Sequence, residues 1–180
     1  MELSSQGGNL LLNISPMGDG SIPEAQRKIL LGVGEWLKSN GEGIYDSRPW
    51  RIMGEGPGVP TECPPEWRGG STADQSNAIK DDPGTPRVRI QITEANFRFT
   101  TAKGKLYAFG YRYPVGEATI RSLSTSAAKV ERVTLLGPSP MPLTFKQTSE
   151  ALVVTMPAGA PMAGMPYALR IEGSEGLGFG

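Results

Sequence analysis

The run Phe97-Arg98-Phe99-Thr100-Thr101-Ala102-Lys103-Gly104-Lys105-Leu106-Tyr107-Ala108 decides how this 180-residue chain folds. Aromatic and β-branched residues fill both halves, and Lys103-Gly104 supplies a two-residue link between them, which is the signature of a tight hairpin. Phe97 and Phe99 stand at alternate positions and therefore share one face of a strand, the face turned to a core. Further short strands are read downstream at Glu117 to Leu123, Val130 to Leu136, Leu143 to Gln147, Leu152 to Met156 and Tyr167 to Ile171. Gly137-Pro138 and Pro157-Ala158-Gly159 punctuate them. With Asn96 to Thr101 and Lys105 to Tyr111 this makes seven candidate strands separated by turn signals, the pattern of an antiparallel β-sandwich over 95–172. Val133 with Leu135 and Leu169 with Ile171 should point inward as the two phenylalanines do, and the Gly-rich tail 173–180 is expected to fray.

Upstream the composition changes. Residues 49–94 hold Gly-Pro and Pro-Pro steps and a paired Asp81-Asp82 without sustained periodicity, and read as a connector in which Val88, Ile90 and Ile92 form at most one short strand. Asn9-Leu10-Leu11-Leu12-Asn13-Ile14 is a continuous apolar run, which suits a strand covered on both faces as in parallel α/β sheets. Pro16 and Gly18-Asp19-Gly20 should stop it near Ser15. Ser21 and Glu24 have the spacing of a capping box with Pro23 in the first turn, so a helix is expected to follow. Ile29, Leu30, Val33, Trp36 and Leu37 recur on one face of it, and Asn40-Gly41 supplies its end. Gly32 and Gly34 each weaken that helix by about 1 kcal/mol relative to alanine, so packing must hold it.

Composition narrows the chemistry. Lysine and arginine total 18 against 18 aspartates and glutamates, which leaves no positive field to draw nucleic acid or an anionic membrane surface. No histidine occurs, and Cys63 is the lone cysteine, so the commonest metal ligand, the commonest general base and any internal disulfide are excluded. No metal or cofactor is expected. Apolar runs such as Leu10 to Leu12 fall far short of the roughly 20 residues of a spanning helix. Glu2, Ser4, Ser5 and Gln6 do not make the basic flank of a secretory signal, so the chain carries no visible address and its compartment stays unassigned.

Gly7 through Ile14, followed by Pro16 and Gly18-Asp19-Gly20-Ser21-Ile22-Pro23, resembles the end of the catalytic barrel in glycoside hydrolase family 29, the α-L-fucosidases. Gly34-Glu35-Trp36-Leu37, Asn40-Gly41-Glu42-Gly43-Ile44-Tyr45, Ser47-Arg48-Pro49-Trp50, Phe97-Arg98-Phe99-Thr100-Thr101 and Leu106-Tyr107-Ala108 are similar to that family in order and spacing. The likeness runs from 7 to 171 apart from about 57–94, with Ser15 where the family usually has glycine and Asp46 where it often has glycine or alanine. It implies a mainly β chain with one long helix: the terminal βα unit of a TIM barrel, incomplete, in residues 1–48, then the connector, then a C-terminal sandwich.

The resemblance also implies a parent enzyme that removes terminal α-linked L-fucose from glycoconjugates with retention, using two carboxyl groups about 5–5.5 Å apart. The family carries its nucleophile and its sugar-binding histidines on earlier strands, so no catalytic residue is assigned here. The chain is expected to be a C-terminal fragment, inactive alone, that meets fucosylated glycans only through the parent enzyme. Two alternatives stand beside it: a non-catalytic carbohydrate-binding sandwich, and a fragment that complements a separately encoded barrel portion.

Asn13, at the C-terminal end of the implied barrel strand, is the substrate-adjacent candidate, against the plainer role of satisfying the adjoining turn. Asp19 between two glycines reads as turn chemistry, and Glu24, Glu35 and Glu42 as capping or solvated groups. Trp36 and Trp50 are expected at the junction of barrel and sandwich, and Trp50, Trp67, Tyr111 and Tyr113 are weighed as sugar-stacking residues against closing a core or covering a domain junction. Cys63 reads as a free thiol without function.

Overall fold

In the computed structural model, residues 1–59, 61, 92–175 and 177 are described. The hairpin read at Lys103-Gly104 organises everything else. Both residues have positive φ, 50° and 73°, as a type I′ turn requires, and glycine takes the second at no steric cost. From that turn β2 (Phe97–Ala102) and β3 (Lys105–Gly110) run antiparallel in unbroken register, from Ala102 opposite Lys105 to Phe97 opposite Gly110.

Around this hairpin the described residues form nine strands in two antiparallel sheets. The larger has the order β1-β2-β3-β9-β5-β6 and the smaller β4-β8-β7. Here β1 is Arg48–Glu55, β4 Glu117–Ile120, β5 Lys129–Leu135, β6 Met141–Leu143, β7 Phe145–Gln147, β8 Leu152–Thr155 and β9 Tyr167–Glu175. Phe97, Phe99, Leu106, Val133, Leu135, Leu169 and Ile171 from the larger sheet meet Ala118, Ile120, Leu152 and Val154 from the smaller one in a common core. Each predicted inward pair is buried there. The chain is thus mainly β with one long helix, and its antiparallel sheets make the expected sandwich.

Alternation also produces a second core that the sequence did not announce. Tyr107 and Phe109 point away from the sandwich interior, yet they are buried with Ala102, Leu136 and Ala168 beneath Trp36 of α2 (Glu24–Asn40). The six-stranded sheet is therefore covered on both faces at its centre, by the small sheet on one side and by α2 and its following turn on the other. The 3-10 turn Gly41–Gly43 lies close enough that a Cβ on Gly43 would stand 2.6 Å from the Tyr107 ring, so only glycine fits. In that position the Gly43 carbonyl accepts a 2.6 Å hydrogen bond from the Thr100 hydroxyl.

Several expectations are corrected. Residues 9–14 form no strand: they are exposed and without ladder partners, because among the described residues no neighbouring strand is present to pair with their backbone. The Ser21–Glu24 capping box is not made. Ser21 instead gives its amide and hydroxyl to Asp19, and the helix begins at Glu24 with Pro23 at its N-cap and no side-chain cap. Of the helix face, only Trp36 is buried, with Leu30 and Leu37 half-covered and Ile29 63% exposed, since only the C-terminal half of α2 rests on the sheet.

The helix does end at Asn40, but by running into the 3-10 turn rather than through a left-handed residue; Gly41 has φ −64°. A left-handed residue follows at Asp46, φ 55°, the position where the resembling family favours glycine or alanine. Strand β1, with Gly54 and Glu55 at its end, lies within the stretch read as connector, and forms an edge strand where Pro49 is tolerated. At the other end β9 continues to Glu175 and Leu177 is buried, so the tail does not fray from 173. Gly173 makes this possible: a Cβ there would stand 1.9 Å from the Lys129 carbonyl oxygen of β5. Val88, Ile90, Cys63 and Trp67 lie outside the described residues.

Candidate functional site

The site must be sought first where carboxylates gather. Glu55, at the end of β1, is nearly buried and accepts from the Arg121 amide at 2.9 Å, the Ser122 amide at 2.7 Å and the Ser122 hydroxyl. It caps the 3-10 turn Arg121–Leu123 and so ties the two sheets together. Glu42 and Glu172 both address Arg170, whose Nη1 lies 3.1 Å from Glu42 Oε1 and whose Nε lies 3.5 Å from Glu172 Oε2, while Lys105 closes on Glu172 at 3.3 Å. Glu42 is thus an exposed group, as expected, that also tethers the post-helix turn to the sheet through Arg170.

This cluster surrounds Tyr107, whose phenol is pushed up to about 12, first by burial and then by the Glu42 charge. Two carboxylates held by one guanidinium are compensated structural groups. They lie on the outer face of a sheet, beside a shallow open depression lined by Gly34, Leu37, Lys38, Gly41, Glu42 and Tyr45. The remaining candidates are plainer. Glu35 pairs with Lys38 at 2.7 Å in solvent, and Glu24 stands 3.9 Å from Arg27. The Asp19 carboxyl is lowered by the Ser21 hydroxyl and amide that it holds in an exposed turn. Among the described residues no group of three or more His, Cys, Asp or Glu is placed to hold a metal, and no helix is long and apolar enough to cross a membrane.

The aromatic candidates separate. Trp36 sits in the contact between α2 and the sheet, its ring 6.0 Å from Phe109 and its Nε1 donating to the Pro166 carbonyl at 2.6 Å. Trp50 lies inside the sandwich cluster with its ring 5.3 Å from Phe99, because β1 turns that position inward. Tyr113 packs on Tyr167 at 5.3 Å and donates to the Pro157 carbonyl, which is core closure. Tyr111 meets Arg98 Nε at 3.3 Å. Neither is laid out as a sugar platform.

What does gather is apolar surface. Leu10, Leu11, Leu12, Ile14, Met17, Ile22, Ile29, Leu31 and Val33 are all exposed, Leu11 at 95%. They fall within one continuous stretch, the segment before α2 and the free half of that helix, while Asn13 stands exposed in the middle of it. Monomeric domains seldom display so much contiguous apolar chain, and such surface marks an interaction site. The sequence signal for it was the run 9–14 itself, apolar on consecutive positions, which nothing among the described residues covers on both faces.

A protein-family model described as Alpha-L-fucosidase matches residues 1–42, the stretch that contains this surface. The chain's relatives are α-L-fucosidases. Mouse tissue alpha-L-fucosidase is 55% identical over 51 residues, and human plasma alpha-L-fucosidase 46% over 55. These alignments take in 28% and 31% of this chain, and 11% and 12% of those proteins. Over the whole fold the chain is similar to the Thermotoga maritima alpha-fucosidase solved with a mechanism-based inhibitor, at 26% identity and a TM-score of 0.59, covering 94% of this chain and 31% of that one. Alpha-L-fucosidase isoenzyme 1 from Paenibacillus thiaminolyticus shares the fold at 19% identity and a TM-score of 0.63, covering 96% and 32%. The chain thus spans about a third of the length of the fucosidase structures that it matches.

Proposed function

We propose that this chain supplies non-catalytic scaffold to an α-L-fucosidase. In this reading residues 9–14 pair as the last strand of a (β/α)8 barrel and residues 22–40 pack as its helix when the rest of the barrel is at hand. The sandwich stands beside them, and Asn13 then lies at the strand end nearest the sugar. The parent activity is retaining hydrolysis of terminal α-L-fucosyl linkages in glycoconjugates, and fucosylated glycans are met through that parent. The chain alone does not perform the reaction.

One observation carries the reading: the 42 residues matched by the family model hold the unpaired apolar stretch that the sandwich leaves uncovered. A strand that is apolar on both faces and has no ladder of its own calls for a sheet to complete. The inactivity proposed for the chain alone is supported by the best-held carboxylates among the described residues. Retention needs a nucleophile and an acid/base facing each other across a sugar, whereas Glu55, Glu42 and Glu172 are committed to backbone amides or to Arg170.

Purified chain incubated with nitrophenyl α-L-fucoside is expected to release no nitrophenol above buffer. Turnover that disappears when a carboxylate within residues 1–50 is replaced overturns this. Mixed with the barrel portion of a relative, residues 9–14 are expected to gain amide protection; protection that stays unchanged argues against the docking.

A further inference from the structure

The feature that neither the fold nor the fucosidase reading uses is Arg98. Its neighbours Phe97 and Phe99 face the sandwich core, so Arg98 projects from the outer face of the sheet, where its side chain is only 1% exposed. A guanidinium so deeply buried is expensive unless its donors are met. Nη2 donates to Glu2 Oε1 at 2.8 Å and Nε reaches the Tyr111 hydroxyl at 3.3 Å, but Nη1 is buried without a hydrogen-bond partner. The fork of an arginine matches both oxygens of a carboxylate through two parallel bonds. Glu2 meets the fork with one oxygen and leaves the other prong empty.

What covers Arg98 is slight. Glu2 lies on α1 (Glu2–Ser5), a helix of four residues, far below the length at which a helix holds itself in water. The backbone bonds around it close on the segment itself: Ser5 to Met1, Gln6 to Leu3, Gly7 to Ser4 and Gly8 to Leu3. Its hold on β1 and β2 comes from side chains, chiefly the Glu2–Arg98 pair and the buried Ser5. Beyond Gly8 the chain is exposed as far as Met17, and its first tie among the described residues is the Ser15 amide donating to Gln26 Oε1 of α2 at 3.0 Å, seven residues past the segment.

We propose that Arg98 anchors a carboxylate-binding site on the outer face of β1 and β2, and that residues 1–8 fill it in cis through Glu2. An acidic peptide segment takes the place of Glu2 when those residues are drawn away. The unfilled Nη1 gives the site its selectivity for a carboxylate over an amide, and the short cover makes the occupant exchangeable. The site is independent of any fucosidase partner.

The test uses full-length chain carrying Glu2→Lys, which sets a like charge against Arg98 and frees the cover. The probe is a fluorescein-labelled, acetylated peptide with the sequence of residues 1–8, alongside the same peptide with glutamine in place of its glutamate. Fluorescence anisotropy is expected to show saturable binding of the glutamate peptide to E2K. Binding should be about tenfold weaker for the glutamine peptide, about tenfold weaker to the unaltered chain, whose own Glu2 competes at high effective concentration, and weaker again to E2K/R98K, where the fork is gone. Equal affinity for the two peptides, or for the altered and unaltered chains, overturns the proposal.

Should E2K fail to fold, hydrogen exchange on the milder E2Q decides. Faster exchange of the amides at 3–8 with β3 and β9 unchanged supports the site. Unchanged exchange at 3–8 refutes it.

Discussion

Replacing Trp36 by alanine tests whether one side chain holds α2 to the sheet. The indole is the single fully buried apolar group that the helix contributes, and removing it loses the ring contact with Phe109 and the 2.6 Å hydrogen bond to the Pro166 carbonyl. Truncation of a buried aromatic residue to alanine costs about 3–5 kcal/mol. Trp36 lies in the smaller cluster, at 8% exposure, so the lower end applies, about 3 kcal/mol, of which roughly 1 is the hydrogen bond. Trp36→Phe keeps a ring against Phe109 and loses the donor, and should cost about 1 kcal/mol. For a chain of this size each kcal/mol shifts the melting midpoint by about 2–4 °C. W36A is therefore expected to melt about 6–12 °C below the parent and W36F about 2–4 °C below it.

Scanning calorimetry gives the midpoints, and hydrogen exchange adds the location. Amides of 33–40 should lose protection in W36A while those of β3 and β9 keep it, because the sandwich core on the other face is untouched. A W36A midpoint within about 2 °C of the parent, with protection of 33–40 unchanged, refutes the claim that this residue docks the helix.

Gln147→Leu is expected to destabilise by about 3 kcal/mol, read by urea unfolding. Its Nε2 serves the Leu123, Ser124 and Ala128 carbonyls and its Oε1 accepts from Val130, so an isosteric apolar chain strands a whole corner of backbone between the sheets. Leu11→Asp should leave the unfolding midpoint unchanged, since Leu11 is almost wholly exposed, yet reduce binding of an apolar dye and self-association, measured by fluorescence and light scattering.

Stability should also fall in alkali. Tyr107 keeps its proton to about 12 when folded but loses it near 10 when unfolded, so the folded state binds more protons and ΔG declines as pH rises between those values. Tyr167, raised further by burial, acts in the same direction. Spectroscopic titration should show Tyr107 and Tyr167 ionising only as the chain unfolds; their ionisation in the folded chain contradicts the packing.

The strands were legible because their signals are local. Phe97 and Phe99 alternate, Lys103-Gly104 can adopt two positive φ angles, and Gly137-Pro138 follows β5. The outer core was not legible, because Tyr107 and Phe109 alternate with Leu106 and Ala108 and look like the solvent side of a hairpin until a helix lands on them. The failed capping box has the same origin. Ser21 has two candidate partners, and the nearer one, Asp19, wins when the helix start is exposed and nothing fixes its entry angle. The run 9–14 has the composition of a strand and was expected to be one, but composition does not supply the neighbours that a ladder needs. Arg98 was invisible for a related reason: an arginine between two phenylalanines reads as a solvated position, and only the fold shows α1 lying over it.

The sheet order places β9 between β3 and β5, with Leu106 opposite Ile171 on one side and Val133 opposite Ile171 on the other. The strand that closes the middle of the large sheet therefore comes after every other described strand of the sandwich in chain order. Until residues 167–175 have left the ribosome, β3 and β5 are two open edges with bare backbone donors and acceptors, and no earlier segment can substitute for the missing wedge. The sandwich therefore cannot close before β9 has been made, and in that interval the nascent chain depends on whatever in the cell shields unpaired strand edges.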